Sequence, residues 1–396
     1  MVRTFEVSGG SQQALRSLNE RRIIGVLSEQ GEMTQAQIAR RTSLAASTVS
    51  NIVSELFEQG VLERKKNLGG PHGQLIGLIP TPGAVAGIDL GKRHLTISLS
   101  NLAHEIIAEK QIDLPLGHGV GEDLKRIENL LDELCEHAGL DRSEVHTIGM
   151  AIPAPIDLEQ RRISSAQVMP GWAEIDIPST VEEALGIPTF IDNDANLGAI
   201  GERVWGIGQG YDNLVYIKVS DGIGAGLVLD GRIYRGADGA AGEIGHTTID
   251  DRGELCRCGN RGCLETVVSV PAILKWASPI FGEDVTIAEL IDQARSGNTG
   301  ALRLLEDGGR YLGIALSNMV NILNPRVVIL GGMLAEAGDI LSQPIQTVLK
   351  RYAIHGAVEN LEFKRAQLGI RSNVLGAVSL ALEHTSIHFL NTIANK

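Results

Sequence analysis

Residues 256–265 read CRCGNRGCLE, and nine residues separate them from His246, which lies upstream. Three thiols and one imidazole form a complete Cys3His set for a tetrahedral zinc ion, and glycines between the thiols allow the tight turns that such a site needs. Four protein ligands leave no position for an activated water, so the sequence predicts a structural zinc. The predicted ligands are His246, Cys256, Cys258 and Cys263.

Two carboxylates flank this predicted metal site. Glu243 stands three residues before His246, and Glu265 stands two residues after Cys263. Carboxylates that accept hydrogen bonds from neighbouring hydroxyls are typical of a sugar pocket, and a zinc-bound imidazole can offer its second nitrogen to the same ligand. The predicted role of the zinc is therefore to shape a sugar pocket.

Composition and charge limit the classes of protein that fit the chain. A length of 396 residues suggests two or three domains, and a hydrophobic fraction of 43% with 21% charged residues is that of a globular protein. No apolar run approaches the roughly 18 residues of a membrane span, and residues 1–10 do not resemble a signal peptide. Cysteines reserved for a metal predict the reducing cytoplasm, with no membrane partner.

The net charge of −13 is unevenly distributed along the chain. Residues 1–80 contain nine Lys plus Arg against seven Asp plus Glu, whereas the remainder contains 26 against 41. Such asymmetry favours a small nucleic-acid-binding head on an acidic body that repels phosphates.

The first eighty residues show three helical patterns followed by two short strands. The spacing of apolar residues predicts helices over 12–30, 35–41 and 46–59, and Thr34 with Gln37 forms a capping-box pattern before the second helix. Strands are predicted over 61–66 and 75–79, before a stiff linker at Pro80 and Pro82. This order predicts a winged helix-turn-helix domain over residues 1–80.

The third predicted helix has a polar face that begins with small residues, as a recognition helix in the major groove requires. Asn51 is the expected base reader, because its amide can pair with adenine, while the hydroxyls and the basic wing are expected to contact phosphates. The alternative is an ordinary solvated face. The predicted DNA-binding residues are Ser47, Thr48, Ser50, Asn51, Arg64, Lys65 and Lys66.

The remaining three hundred residues alternate strands with helices, which indicates an α/β body. Glycine-rich segments recur at strand ends, at Gly91, 220–226 and Gly331–Gly332. They suggest phosphate contacts made by two lobes around a cleft.

A series of motifs along the whole body resembles the ROK family. They are Asp89-x-Gly91, the segments GMAIPAP (149–155), NDAN (193–196), GAG (224–226) and AGEIGH (241–246), the thiol cluster with Glu265, and Asn324-Pro325 before Gly331-Gly332. The resemblance implies the two-lobed actin-like ATPase fold and either a sugar kinase or a sugar-responsive regulator. The N-terminal head places the chain with the group of regulators that includes the xylose and N-acetylglucosamine repressors.

The same resemblance implies which residues contact the sugar. The matching positions are Asn193, Asp194, Glu243, His246 and Glu265. In the kinases of the family, the position of Asp194 is that of the base that deprotonates the attacking sugar hydroxyl. The alternative for Asp194 is a helix N-cap, because residues 195–204 have a helical pattern.

The expected phosphate loops depart from the kinase pattern. The chain has Lys92 and Arg93 in place of a glycine and a threonine, and Asp221 in place of another threonine. A carboxylate beside a triphosphate is unfavourable by about 1 kcal/mol or more, even with surface-like screening. The change weakens the case for ATP binding without excluding it, because Lys92 or Arg93 can compensate in part.

We therefore expect a winged helix-turn-helix over 1–80, a first lobe over 81–191 that is completed by a C-terminal helix at 375–396, and a second lobe with the zinc site over 192–374. The leading hypothesis is a non-enzymatic, sugar-responsive transcriptional repressor that binds an inverted-repeat operator as a homodimer or tetramer. The alternatives are a sugar kinase with an appended DNA-binding head and a sensor whose head binds protein.

Overall fold

A computed structural model describes residues 19, 22–27, 31–58, 62–65, 74–78, 83–102, 104–157, 159–163 and 167–394, with the backbone alone at residue 65 and over 386–394. Several predictions fall outside these residues. They are the two ends of the first helix, the last residue of the third helix, Lys66, the turn between the two strands and the linker prolines Pro80 and Pro82.

The head contains the predicted helices and hairpin. Its elements are α1 (helical over residues 22–27), α2 (Gln35–Thr42), α3 (Ala46–Glu58), β1 (Leu62–Lys65) and β2 (Leu75–Leu78). The two strands pair antiparallel, and the capping box of Thr34 and Gln37 begins α2 as predicted. Met33 also pairs with Ile76 through backbone hydrogen bonds of 3.0 and 2.8 Å, a third strand segment that the sequence pattern did not reveal.

The head has its own hydrophobic core. Ile23, Ile38, Val49 and Val53 are fully buried there, together with residues of the hairpin such as Leu62. The buried positions of α3 recur three and four residues apart, which turns its polar positions outward.

The body is built on two five-stranded sheets. The first contains β3 (Ala84–Leu90), β4 (His94–Asn101), β5 (Ile106–Asp113), β6 (Val145–Ile152) and β9 (Thr189–Asn193). The second contains β10 (Leu214–Val219), β11 (Ile223–Leu229), β12 (Arg232–Ile233), β13 (Val327–Gly331) and β14 (Glu362–Arg365). A separate antiparallel pair comes between β6 and β9 in the sequence. It consists of β7 (Ile156–Asp157) and β8 (Arg162–Ile163).

The two sheets share one topology. Their strand orders are β5-β4-β3-β6-β9 and β12-β11-β10-β13-β14, and in each the first three strands are antiparallel while the last two are added in parallel. The β3–β4 turn at 91–93 is therefore the counterpart of the β10–β11 turn at 220–222. This duplication is the two-lobed actin-like arrangement that the sequence predicted, and it follows the winged helix-turn-helix head.

Helices cover the sheets and contribute to two large cores. They are α4 (Val120–Ala138), α5 (Ile177–Leu185), α6 (Asp194–Trp205), α7 (Glu265–Val268), α8 (Val270–Phe281), α9 (Ile287–Arg295), α10 (Thr299–Leu323), α11 (Asp339–Tyr352), α12 (His355–Val358) and α13 (Ser372–Ala394). None of the helices in the described part of the chain combines the length and the apolar character needed to cross a bilayer.

The helix α13 returns to the first sheet, where it packs on β3, β6 and α6. Its close approach depends on glycines: a Cβ atom at Gly149 would collide with the carbonyl of Ala377, and one at Gly376 would collide with the carbonyl of Leu197. Glu202 of α6 is fully buried and accepts hydrogen bonds from the backbone of Gln367 and Leu368 and from the hydroxyl of Ser372. These contacts fix the start of α13 against α6.

Candidate functional site

The segment between β12 and α7 brings the four predicted metal ligands together. His246 ends a short 3-10 turn, and the three cysteines lie on the loop that follows it. The nitrogen and sulfur atoms of His246, Cys256, Cys258 and Cys263 all lie within 4.8 Å of one another. Gly262 adopts φ 61° against the carbonyl of Asp250, where no side chain would fit, so the loop needs glycine at this position.

The spacing of these atoms suits a tetrahedral metal ion. Metal–sulfur bonds of about 2.3 Å and metal–nitrogen bonds of about 2.0 Å place two sulfurs roughly 3.7 Å apart and a sulfur and a nitrogen roughly 3.5 Å apart. The structure has Cys258 Sγ 3.7 Å from Cys263 Sγ, and Cys256 Sγ 3.5 Å from His246 Nδ1. Burial and the neighbouring thiols raise the pKa of Cys263 to about 12, so a bound cation is needed to keep all three sulfurs as thiolates near neutral pH.

His246 connects the metal cluster to the cleft. Because its Nδ1 faces the cysteines, its Nε2 is left to face the other way, 3.8 Å from Oε2 of Glu243. A metal bound at Nδ1 would keep the hydrogen on Nε2, which makes this nitrogen a donor.

The predicted sugar-contacting carboxylates share the cleft. Burial, followed by the charges of Asp194 and Glu265, raises the pKa of Glu243 to about 7. Glu265, at the start of α7, accepts from Arg257 at 2.8 and 3.1 Å and from the backbone N–H of Ile223 at 3.1 Å. Arg257 was not among the predicted site residues, although it lies inside the cysteine motif. We call Glu243, His246 and Glu265 the hydroxyl side of the cleft.

The N-cap alternative for Asp194 is wrong, because the N-cap of α6 is Asn193. The amide oxygen of Asn193 accepts from the backbone N–H groups of Ala195 and Asn196 at 2.9 and 3.3 Å, and its amide nitrogen donates to the carbonyl of Ala154 at 3.1 Å. The carboxylate of Asp194 is thereby not used by the cap, and it lies close enough to Glu243 to raise the pKa of that residue.

Lys218 is a cleft residue that the sequence analysis missed. It lies on β10, and its ammonium group donates a close hydrogen bond to the carboxylate of Asp194. Burial alone would lower the pKa of Lys218, but Asp194 and Asp89 raise it above its ordinary value. The sequence feature that could have identified Lys218 is its single charge within the otherwise apolar strand β10, LVYIKV.

The two equivalent hairpin turns lie close to each other and meet through their side chains. Arg93 of the first turn lies 3.6 Å from Asp221 of the second. The positive charge of the arginine therefore partly offsets the negative charge that makes Asp221 unfavourable beside a triphosphate. Asp89 accepts a hydrogen bond from His94 at 3.1 Å and another from Asn373 at 3.2 Å. We call these two turns, with Asp89, Asp194 and Lys218, the hairpin side of the cleft.

A series of buried polar side chains supports the first of these turns through the backbone of Gly91. Asp123 accepts from the indole of Trp172 at 2.8 Å and contacts Nδ1 of His118 closely. Nε2 of His118 donates to the carbonyl of Gly91 at 3.1 Å. These residues come from distant parts of the sequence, and no motif connects them.

The head presents its predicted polar face to solvent. Ser47 and Asn51 are exposed on α3, and Thr48 and Ser50 are half-buried beside them. Arg64 is exposed on β1, with its guanidinium 5.0 Å from the centre of the Phe57 ring. The side chain of Lys65 and the whole of Lys66 lie outside the described residues.

Two family descriptions match the sequence. The profile of the ROK family matches residues 85–384, which is the body. The profile of the MarR family matches residues 17–69, which is the larger part of the head.

Individual relatives match either the whole chain or the body alone. The xylose repressor of Caldicellulosiruptor bescii is 28% identical over 389 residues, covering 94% of this chain and 97% of that protein. The glucokinase of Halalkalibacterium halodurans is 32% identical over 305 residues, covering 73% of this chain and 92% of that enzyme. A crystal structure of a ROK family transcriptional regulator, a homolog of the Escherichia coli MLC protein, superposes with a TM-score of 0.81 at 26% identity and covers 96% of this chain and all of that one.

Proposed function

This chain belongs to the ROK family, and from that premise we propose that it is a sugar-responsive transcriptional repressor of carbohydrate uptake or catabolism genes. The observation that carries the proposal is the alignment with the xylose repressor, which includes head and body together and covers 97% of that protein. The proposed unit has the head over 1–80, a first lobe over 81–191 completed by the last helix, and a second lobe over 192–374.

The head is proposed to bind double-stranded operator DNA. Exposed Asn51 is available to read a base edge, while Ser47, Thr48 and Ser50 border it as phosphate contacts. Arg64, Lys65 and Lys66 supply the basic wing of the proposal. An inverted-repeat operator bound by a homodimer or tetramer would place two recognition helices on successive major-groove faces.

The cleft is proposed to bind the effector, a sugar or a sugar phosphate. Asp194, Glu243 and Glu265 are acceptors for hydroxyls, and Nε2 of His246 is a donor that faces the same space. Asn193 is proposed to act with them, although its amide already caps α6 and contacts the carbonyl of Ala154. Closure of the two lobes on a sugar is the conformational change that would alter the position of the heads.

The metal is proposed to be a structural zinc. The four ligand atoms form a closed Cys3His set with the spacing of a tetrahedral ion, and such a set leaves no position for a reactive water. Zinc would fix the loop that carries Arg257 and the ring orientation of His246. Free cysteines are consistent with a reducing cytoplasm as the proposed location.

Fluorescence anisotropy of DNA from upstream of the gene tests this proposal. The protein is titrated into the labelled duplex, and then a panel of sugars and sugar phosphates is added. We expect binding that weakens with salt, because basic residues displace counterions, and release by one compound of the panel. Absence of duplex binding at low salt, with folded and metal-loaded protein, would refute the repressor.

A second candidate is a sugar kinase with an appended head. Asp194 in the cleft and the 32% identical glucokinase favour it. Lys92, Arg93 and Asp221 in the phosphate turns oppose it, and so does the pairing of Asp194 with Lys218. Phosphoryl transfer from Mg·ATP to a panel of hexoses, measured by coupled ADP release, decides between the two.

A further inference from the structure

Lys218 and its surroundings on the hairpin side carry an inference beyond the proposed function. The register of the second sheet places Gly224 on β11 and Gly331 on β13 beside Lys218. Glycines on both sides leave the lysine side chain free of cross-strand neighbours, so it can extend toward the start of α6. Its side chain is 15% exposed, and that of its partner Asp194 is 10% exposed.

Asp89 is the second carboxylate near this ammonium group. Its Oδ2 accepts from His94 and Asn373, whereas its buried Oδ1 has no hydrogen-bond partner among the described residues. Burial would raise the pKa of Asp89, but His94, Lys218 and Asn373 lower it below its ordinary value. The lowered pKa keeps Asp89 charged, and a buried charged oxygen without a hydrogen bond is stabilised by a nearby cation.

Phosphoryl-transfer enzymes place a divalent ion in such surroundings. There, aspartate carboxylates hold the ion, which bridges the phosphate oxygens and neutralises their charge. Here the ammonium group of Lys218 is hydrogen-bonded to Asp194 and its charge also acts on Asp89, so it offsets the charge of these carboxylates without a metal and repels a metal ion.

We propose that Lys218 is a built-in cation that takes the place of a divalent metal between Asp89 and Asp194, and so keeps the cleft free of metal-bound nucleotide. Lys218 is a positioning residue in this proposal, since it holds the carboxylate of Asp194 toward the hydroxyl side. The inference is independent of the DNA-binding head.

The test is a Mn²⁺ titration of the full-length, zinc-loaded chain, with free Mn²⁺ followed by electron paramagnetic resonance. Wild-type protein is expected to bind no Mn²⁺ at the cleft, and Lys218→Met to gain about one bound ion per chain, because Asp194 loses its hydrogen-bonded lysine and Asp89 loses a nearby positive charge. Lys218→Met keeps the length of the side chain and removes its charge. The double variant Lys218→Met with Asp194→Asn is expected to lose the new ion.

Two controls keep the result interpretable. Lys364→Met removes a lysine from the same sheet that pairs with Tyr211 and Glu362 instead, and it should bind Mn²⁺ as the wild type does. Zinc content and thermal unfolding report whether each variant is folded, and Lys218→Thr replaces Lys218→Met if the latter is not. A folded Lys218 variant that gains no Mn²⁺, or a wild type that binds Mn²⁺ through Asp194, overturns the proposal.

Discussion

The two sides of the cleft neutralise their carboxylates differently. On the hydroxyl side, Glu265 pairs with Arg257, whereas Glu243 forms no salt bridge with a lysine or arginine of the described residues, and its Oε2 lies 3.8 Å from Nε2 of His246. On the hairpin side, Asp89, Asp194 and Asp221 each contact a basic side chain of the same protein. One side thus retains an open acceptor for a ligand hydroxyl, whereas the other is already balanced and has little need of a metal or a phosphate.

The largest effect is expected from removing a ligand of the metal cluster that adjoins the hydroxyl side. Cys258→Ser removes one thiolate of the closed set, so zinc content should fall from about one ion per chain to none. We expect a lower melting temperature and loss of the sugar response, because the loop that carries Arg257 and His246 loses its anchor. Elemental analysis measures the zinc content, thermal unfolding measures the melting temperature, and release of operator DNA by sugar measures the response.

Cys135→Ala is the matched control for this change. Cys135 is buried in α4, outside the metal cluster, and removal of its thiol should leave zinc content and sugar response intact. A Cys258→Ser protein that lacks metal but still responds to sugar would contradict the role given to the cluster.

The next largest effect is expected from breaking the hairpin side. Asp194→Asn removes the carboxylate that is hydrogen-bonded to the largely buried Lys218, which should cost about 3 kcal/mol of unfolding free energy. The matched control is Asp212→Asn, whose partner Arg203 lies 3.6 Å away and whose side chain is 74% exposed; its cost should stay below about 1 kcal/mol. Urea unfolding at neutral pH compares the two, and equal costs would mean that the internal pairing is no more than a surface contact.

A change in the head should leave both sides of the cleft unaffected. Asn51→Ala should weaken operator binding by about 1 to 3 kcal/mol through loss of a base contact. Calorimetric sugar binding by the same protein should match the wild type. Unchanged operator affinity would assign base reading to other residues of α3.

The smallest effect is expected from pH on the hairpin side. Burial tends to lower the pKa of His94, but the contact with Asp89 raises it above its ordinary value. The stability that His94 contributes is therefore fully present below about pH 6.5 and is lost as pH rises through its folded-state pKa. Relative to His94→Gln, the wild type should lose unfolding free energy as the pH rises above about 6.5; parallel curves would exclude the contribution.

The sequence predicted contacts between residues that are close in the chain, but not contacts between residues that are far apart in it. The Cys3His cluster and the capping box of α2 were predictable because their residues lie within a few turns of one another. The pairing of Lys218 with Asp194, and the chain from Trp172 through Asp123 and His118 to Gly91, join residues that only the folded sheets bring together. The alternative of an N-cap at Asp194 lay one residue too late, because adjacent Asn193 and Asp194 are both good N-caps and the structure uses Asn193.

The return of α13 to the first sheet has a consequence for synthesis on the ribosome. The head is complete in sequence by residue 78, whereas the helix that packs on β3 and β6 begins at Ser372. A growing chain can therefore fold its head before the almost three hundred residues that precede α13 are made, and it must keep part of the first sheet uncovered until α13 emerges. Ribosome stalling or a late stop codon would yield a folded head on an unfinished body. Such a fragment could bind DNA but would not respond to the effector.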